Sequence, residues 1–233
     1  TTFVGYENNH PIKRIFDKAG LVPDIVESKI AIRTIQNRKI VDRVQNFEEF
    51  LSQLNSVYYH KNNRVFWQTI KEIDEKFWAL KSICYAKYSI KAYTKTAFFI
   101  LELMKSFKFD LLKSADFFIN QTLPNISKEY KAFIDAQLLI TLQTTSKDLS
   151  LLSMSLGLAY PFHKVFYPNG GMGKIIDDLL KDINVNNKEE IISIQKENKK
   201  YRLITTKDEY IASKVILNSA VFESSKLFID EDI

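Results

Sequence analysis

Cysteine is nearly missing from this sequence. Cys84 is the single cysteine among 233 residues, so an internal disulfide and a cysteine-based metal cluster are excluded. A reducing compartment is the simplest interpretation, and we expect a cytoplasmic protein. Glycine and proline are also scarce, with six and five residues, and neither an internal repeat nor a low-complexity linker divides the chain.

Long hydrophobic runs are missing as well. The longest uncharged stretch, 149–162, includes three serines and a glycine, and it is shorter than the roughly 20 apolar residues that span a bilayer. The first residues contain no apolar signal core and no initiator methionine. The sequence therefore predicts no transmembrane helix, and we expect the chain to be an excised fragment.

Charge of one sign is in only slight excess. The 33 lysines and arginines against 28 acidic residues give a net charge of +5, while 45% of the residues are hydrophobic, which is enough for a globular core. The basic run 196–202 contains Glu197 and is typical of a solvated hairpin tip. We therefore expect no nucleic-acid partner.

The pattern of apolar residues predicts an α+β fold. A helix over 11–18 ends at Gly20, and a hairpin over 24–44 turns near Asn37, with Ile30, Ile32, Ile40 and Val41 on its buried face. From Asn46, a helix N-cap, the pattern is helical to about Gly157. The predicted helices are 47–58, 63–80, 89–108, 111–121, 128–143 and 147–156. Strands are predicted at 165–167, 191–195, 201–206 and 215–217. We expect a mixed or antiparallel sheet built from both chain ends, with a large helical insertion between them.

The aromatic segment 93–118 has two interpretations. Its large apolar side chains are typical of a protein core. Alternatively, its outer face lies against a membrane, with lysines such as Lys91, Lys95 and Lys105 contacting lipid headgroups. The second interpretation predicts peripheral membrane contact.

The most informative local pattern is three glycines within four positions, Gly170, Gly171 and Gly173. They follow a strand ending in Tyr167-Pro168 and precede a helix predicted over 174–181. Glycine allows backbone conformations closed to other residues and lets a ligand approach closely, and unpaired amides at a helix start favour an electron-rich group. A plain strand-to-helix turn would have the same pattern.

The order of these features resembles the flavin-dependent carotenoid desaturases and carotenoid isomerases, more distantly related to amine oxidases. The segment Tyr167-Pro168-Asn169-Gly170-Gly171-Met172-Gly173 matches the Tyr-Pro-x-Gly-Gly-Met-Gly segment of that family. Leu217-Asn218-Ser219-Ala220 matches its strand ending in Ser-Asn-Ala, with Asn and Ser exchanged. Residues 1–21 and 133–137 are similar to further segments of the family, so the resemblance extends over nearly the whole chain.

The resemblance implies the substrate domain of an FAD-dependent oxidoreductase that desaturates or isomerises a lipophilic polyene. It implies a substrate-binding domain over 1–165, with strands in 1–45 and helices in 46–157, and a segment over 166–233 that borders the flavin domain. The residues that it places between substrate and flavin are Tyr167, Pro168, Gly170, Gly171, Met172 and Gly173. Asn218, Ser219 and Ala220 are placed near the edge of the flavin.

One departure from the family concerns the cofactor. Members carry a Gly-x-Gly-x-x-Gly fingerprint that holds the pyrophosphate of FAD, and the six glycines of this chain do not form it. We therefore expect FAD only in a longer parent protein. This chain alone is expected to be inactive.

Other kinds of site receive little support. The three histidines, His10, His60 and His163, are far apart in sequence and lack acidic partners at ligand spacing, so we predict no metal site. His163 precedes the strand into the glycine segment and is interpreted as a packing or surface residue. No catalytic acid or base is assigned. Two alternatives stay open, a flavin enzyme acting on amines or other lipids and a non-catalytic lipid-binding or interaction module.

Overall fold

The computed structural model describes residues 2–7, 10–80, 90–107 and 113–228. The chain forms two compact units, Thr1–Leu179 and Leu180–Ile233, which are considered separately below. Both contain helices and antiparallel strands, so the predicted α+β class is confirmed. The predicted domain limits, 1–165 and 166–233, stay a prediction.

The first unit begins with a short helix and the predicted hairpin. Its elements here are α1 (Pro11–Ala19), β1 (Ile25–Ser28), β2 (Ile30–Gln36) and β3 (Lys39–Val44). Gly20 ends α1 in the left-handed conformation at φ 66°. Asn37 and Arg38 have φ values of 50° and 64°, which is typical of the two-residue turns that connect β-hairpins. On the predicted buried face Val41 is buried and Ile30 and Ile32 are half-buried, but Ile40 is exposed.

Six helices follow the hairpin: α2 (Phe47–Val57), α3 (Asn63–Trp78), α4 (Ile90–Phe107), α5 (Ala115–Thr122), α6 (Lys128–Leu142) and α7 (Leu151–Ala159). Asn46 caps α2 as predicted, since its side-chain oxygen accepts the Glu49 amide at 3.0 Å. Ser114, Ser127 and Ser150 cap three of the later helices in the same way. The last helix begins four residues later than predicted, because a short 3-10 helix, Ser146–Asp148, precedes it. Cys84 and the predicted start of the 111–121 helix lie outside the described residues.

The core of the first unit is one cluster of buried side chains from β3 and from all six helices α2 to α7, together with Phe162. Its aromatic centre contains Phe50, Trp67 and Phe133, each fully buried. Phe50 and Trp67 pack edge to face with ring centroids 4.9 Å apart, a favourable arrangement of their quadrupoles.

The exposure of several apolar side chains of helix α4 does not fit the core interpretation of the segment 93–118. Ala92 and Phe107 are buried, but Tyr93, Phe98 and Leu101 are 60, 67 and 61% exposed. The core interpretation therefore does not describe these three exposed side chains, although Phe107 of α4 belongs to the core. Among the described residues, no helix is long and apolar enough to cross a membrane.

Strands from the two sides of the helical region pair with each other. β1 pairs antiparallel with β4 (Val165–Pro168), and Phe3 forms an isolated bridge with Phe166. The predicted pairing across the helical insertion is thus present, although it forms a separate two-stranded sheet beside the β2–β3 hairpin. A final helix, α8 (Gly171–Leu180), follows β4.

The second unit contains a three-stranded antiparallel sheet. Its elements are β5 (Ile191–Glu197), β6 (Lys200–Thr205), β7 (Glu209–Ala212) and the short helix α9 (Val221–Ser225). The basic run 196–202 is the tip of the β5–β6 hairpin, as predicted. The strand predicted at 215–217 is absent from the described structure. β7 lies instead at Glu209–Ala212, where Arg202 and Glu209 form an ion pair across the strands.

Candidate functional site

The glycine segment is a tight turn between β4 and α8. Gly170 and Gly171 have φ values of 82° and 79°, a backbone region that residues with a Cβ rarely adopt. The helix begins at Gly171 and not at the predicted Lys174, so Met172 and Gly173 form its first turn. The side chain of Asn169 anchors the turn, since its amide donates to Asp24 Oδ1 at 2.8 Å.

The backbone of this turn is open to approach. Around Gly171 and Gly173, no described atom lies within 4 Å of the position that a Cβ would occupy. Tyr167 is 47% exposed, whereas Pro168 is buried against β1. The turn therefore offers main chain with open space beside Gly171 and Gly173, next to an exposed phenol.

Asn218, Ser219 and Ala220 lie in the second unit, in an exposed segment before α9. Ser219 and Ser224 form a hydrogen bond between their hydroxyls. The predicted grouping of this segment with the glycine turn stays a prediction.

A cavity of about 550 Å³ in the first unit was not predicted from the sequence. It lies between the N-terminal segment and the ends of α6 and α7, and it is lined by Thr2, Phe3, Val4, Ile140, Thr141, Leu142, Leu156, Gly157 and Tyr160. Gly157 allows α6 and α7 to approach closely, since a Cβ there would lie 2.8 Å from Leu142 Cδ1. The lining combines apolar side chains with the hydroxyls of two threonines and one tyrosine.

A buried cation lies near one wall of this cavity. Arg43 is fully buried, and its guanidinium lies 4.3 to 4.9 Å from the ring centroids of Phe50, Trp67 and Phe162. Burial lowers the pKa of Arg43 to about 9, and the nearby Tyr160 acts in the opposite direction. Burial also raises the pKa of Tyr160. Arg43 is thus a cation at neutral pH, and the cavity's tyrosine is a neutral hydrogen-bonding group.

A polar cluster lies around His163, between the 3-10 helix Tyr160–Phe162 and β4. Nε2 of His163 lies 2.5 Å from Asp74 Oδ2, and Nδ1 lies 3.6 Å from Glu7 Oε2. The ring of His10 is 5.5 Å from that of His163. The hydrogen bond that His163 donates to the Asp74 carboxylate raises the pKa of His163, although burial opposes this, and the charges of Asp74 and Glu7 raise it further.

This cluster escaped the sequence analysis because His10 and His163 are more than 150 positions apart. His60, the third histidine, lies elsewhere and bridges the Asn62 amide and the Pro124 carbonyl oxygen. Part of the cluster is visible in the sequence, since Glu7 and His10 are three residues apart just before a helix. The spacing does not reveal that His163 lies beside them. The structure therefore unites two of the three histidines with two carboxylates.

Comparisons with known proteins show a shared fold. No protein-family model matches the sequence, and no curated protein matches it. A protein of Pyrococcus furiosus with a crystal structure from a structural genomics consortium aligns over 99% of this chain and 49% of its own, with a TM-score of 0.57 and 16% identity. Two putrescine oxidase structures, a triple mutant redesigned for cofactor binding and the wild type bound to putrescine, align over 88% of this chain and 43% of theirs. Their TM-scores are 0.48 and 0.47, at 15 and 14% identity. The chain spans about half the length of the structures that it matches.

Proposed function

We propose that this chain is the substrate-binding part of a flavin-dependent oxidoreductase that desaturates or isomerises a lipophilic polyene. The observation that carries the proposal is the cavity of about 550 Å³, which has no charged side chain among its described lining residues. A cavity of this size and apolar character suits a hydrocarbon ligand, and a few hydroxyls would orient it.

The same lining disfavours an amine substrate. An alkylammonium ion loses its hydration on entering a cavity and needs a carboxylate or a cage of aromatic rings to replace it. The described lining residues include no aspartate or glutamate, and Phe3 and Tyr160 are its only aromatic residues. A polyene needs neither group.

The glycine turn supports a flavin partner through its sequence resemblance and its open backbone. Gly171 and Gly173 leave room for a flat ring to approach, but the glycines of this chain do not form a pyrophosphate-binding fingerprint. This chain therefore fits one wall of a flavin site and does not fit the dinucleotide. When bound, a flavin would supply hydride acceptance. The chain's own residues would hold the polyene and exclude water, and none of them is assigned as an acid or a base.

Ligand binding tests the proposal directly. Retinol, a fluorescent polyene, is titrated into the protein in parallel with putrescine. We expect saturable binding of retinol and none of putrescine. Leu156→Asn should weaken retinol binding roughly tenfold, because it places an unpaired amide in the cavity, whereas Leu139→Asn, at an exposed position on the same helical pair, should leave it unchanged. Binding of putrescine without retinol would instead favour the amine oxidase alternative.

Flavin content tests the part of the proposal that concerns the cofactor. The full-length product of the reading frame that contains this chain should show flavin absorption after purification, and this chain alone should be colourless. Gly173→Leu should lower the flavin content or the turnover of the longer protein, since it fills the open space at the turn without a strained φ. Ile176→Leu, at an exposed position of the same helix, is the matched control. If neither protein binds flavin, the chain is better explained as a lipid-binding module.

The exposed face of α4 extends the proposal to membrane contact. Phe98, Leu101 and Met104 are exposed on a helix that also presents Lys91 and Lys105. An apolar face flanked by lysines suits the surface of an anionic bilayer, where a polyene substrate partitions. The protein should co-float with anionic vesicles, and Phe98→Ser with Leu101→Ser should abolish this. Val22→Ser, which removes an even more exposed apolar side chain elsewhere, should not.

A further inference from the structure

Two histidines and a glutamate converge in the first unit from distant parts of the sequence. We propose that Glu7, His10 and His163 bind a divalent first-row transition-metal ion of the Zn²⁺ class. One ligand atom from each lies within 4.8 Å of the other two. Two imidazoles and a carboxylate are an established ligand set for zinc and for other metals of this series.

The distances are close to those of a bound ion. Ligand atoms about 2.0 to 2.1 Å from a tetrahedral ion lie roughly 3.4 Å from one another. Nδ1 of His163 and Oε2 of Glu7 are 3.6 Å apart, so an ion fits between them with little movement. The other separations in the set are at most 4.8 Å, so the His10 ring needs to move toward the other two ligands to complete the set.

Asp74 is the positioning residue of this site. With an ion bound, the hydrogen bond between His163 Nε2 and Asp74 Oδ2 would keep the ring proton on Nε2 and direct the lone pair of Nδ1 toward the ion beside Glu7. The separation of 3.6 Å between Nδ1 and Glu7 Oε2 is longer than a hydrogen bond, so the ion would replace a weak ion pair between the two groups. Asp74 is itself 3% exposed and accepts a hydrogen bond from the Trp78 indole at 3.1 Å.

The ligands come from two segments that the ion would connect. Glu7 and His10 lie just before and at the N-cap of α1, and the Glu7 carboxylate also accepts the Lys164 amide at 3.4 Å. His163 immediately precedes β4, the strand that leads to the glycine turn. Three protein ligands leave a tetrahedral ion one position for water, and the side chains of Glu7 and His163 are 27 and 19% exposed, so this position is accessible. The ion would clamp the N-terminal segment to the start of β4.

Calorimetric titration of the chelator-treated protein with Zn²⁺ tests the inference. We expect one ion per chain, and at a Zn²⁺ concentration a hundred times the dissociation constant the melting temperature should rise by about 5 to 10 °C. Co²⁺ should give the visible absorption of a tetrahedral site with nitrogen and oxygen ligands. The readouts need neither flavin nor substrate, so they are independent of the proposed oxidoreductase function.

Variants then assign the ligands. His10→Ala and His163→Ala should each weaken Zn²⁺ binding by at least tenfold, and Asp74→Asn should weaken it roughly 10- to 100-fold through the orientation of His163. His60→Gln removes the histidine that lies outside the cluster and should bind Zn²⁺ as the wild type does. Circular dichroism of each variant verifies folding, and Glu7→Gln, at a more exposed position, provides a ligand change with less effect on packing.

Two outcomes would overturn the inference. If the wild type binds no stoichiometric Zn²⁺, the cluster is an imidazolium held between two carboxylates. If His60→Gln weakens binding as much as His163→Ala, the ion is held at the surface and not by this cluster.

Discussion

Arg43 is a fully buried cation in the aromatic core of the first unit. It donates hydrogen bonds to the side chain of Gln137 and, at 2.7 Å, to the Leu158 carbonyl oxygen, while its Nε has no described partner. The three rings around it supply cation–π attraction in place of a carboxylate. Removing the side chain therefore leaves two buried acceptors without a donor.

Substitution of Arg43 tests this account. Arg43→Met keeps most of the volume but leaves Gln137 and the Leu158 carbonyl oxygen unpaired, and we expect a loss of about 2 to 4 kcal/mol in the free energy of unfolding. Arg43→Met with Gln137→Leu should recover part of the loss, because one unpaired acceptor is then absent. Urea denaturation measures both values. If Arg43→Met alone proves as stable as the wild type, the burial cost of the charge outweighs its contacts.

Gly157 and Gly173 are two glycines that differ in the space available for a side chain. A Cβ at Gly157 would lie 2.8 Å from Leu142 Cδ1 and 3.0 Å from Thr141 Oγ1, whereas a Cβ at Gly173 meets open space. We expect Gly157→Ala to destabilise the protein by about 1 to 3 kcal/mol through overpacking. Gly173→Ala should be neutral or stabilise the helix by up to about 1 kcal/mol. Thermal denaturation compares the two, and equal effects would contradict the close approach of α6 and α7 at Gly157.

At the scale of elements, the β2–β3 hairpin is held by a bidentate ion pair. Arg33 and Asp42 are opposite each other in the register, with nitrogen–oxygen distances of 2.7 and 2.8 Å. The hydrogen bonds from Arg33 lower the pKa of Asp42 below its ordinary value of 3.8, despite partial burial. Arg33 is about half exposed, so solvent screens the pair and its contribution to the stability of the hairpin is small.

This pair predicts a pH dependence. Because the folded-state pKa of Asp42 lies below the unfolded value, its stabilisation is fully present above pH 3.8 and is lost as the pH falls through the lower folded-state pKa. The difference in unfolding free energy between the wild type and Arg33→Gln should therefore be constant near neutral pH and vanish in acid. Arg38→Gln makes the same charge change at the turn of this hairpin and should produce no such pH-dependent difference. A difference that persists unchanged at pH 2 would rule out the pair as its source.

At the scale of the whole molecule, the two units differ in the size of their cores. All members of the main buried cluster belong to residues 41–162. In the described part of the second unit, the buried residues are Ser193, Ile194 and Ser224. A unit of this length with so little buried apolar surface is marginal by itself.

Truncation tests this difference. A chain of residues 1–183 should fold and unfold cooperatively, while residues 184–233 alone should not, as measured by circular dichroism during heating. Cooperative unfolding of the shorter piece would mean that its sheet is stabilised without a large core. Loss of folding in 1–183 would mean that the second unit is required by the first.

The sequence by itself determined most of the local elements and several of their ends. Asn46, Gly20 and the Asn37-Arg38 turn act on the backbone within a few residues, so their effect can be predicted from spacing and residue type. The glycine turn was predicted for the same reason, although its helix began three residues early. The exposure of the α4 side chains was not predicted, because the same apolar pattern fits a buried and an exposed face.

Only the tertiary structure decided which distant side chains meet. His163 and Asp74 are 89 positions apart and Arg43 and Gln137 are 94 apart, and both pairs contact each other only because the helices pack around one core. The cavity likewise exists because Gly157 lets two helices approach beside Thr2, Phe3 and Val4. Local conformation follows from short-range backbone sterics, whereas a site built across elements depends on the packing of the whole unit.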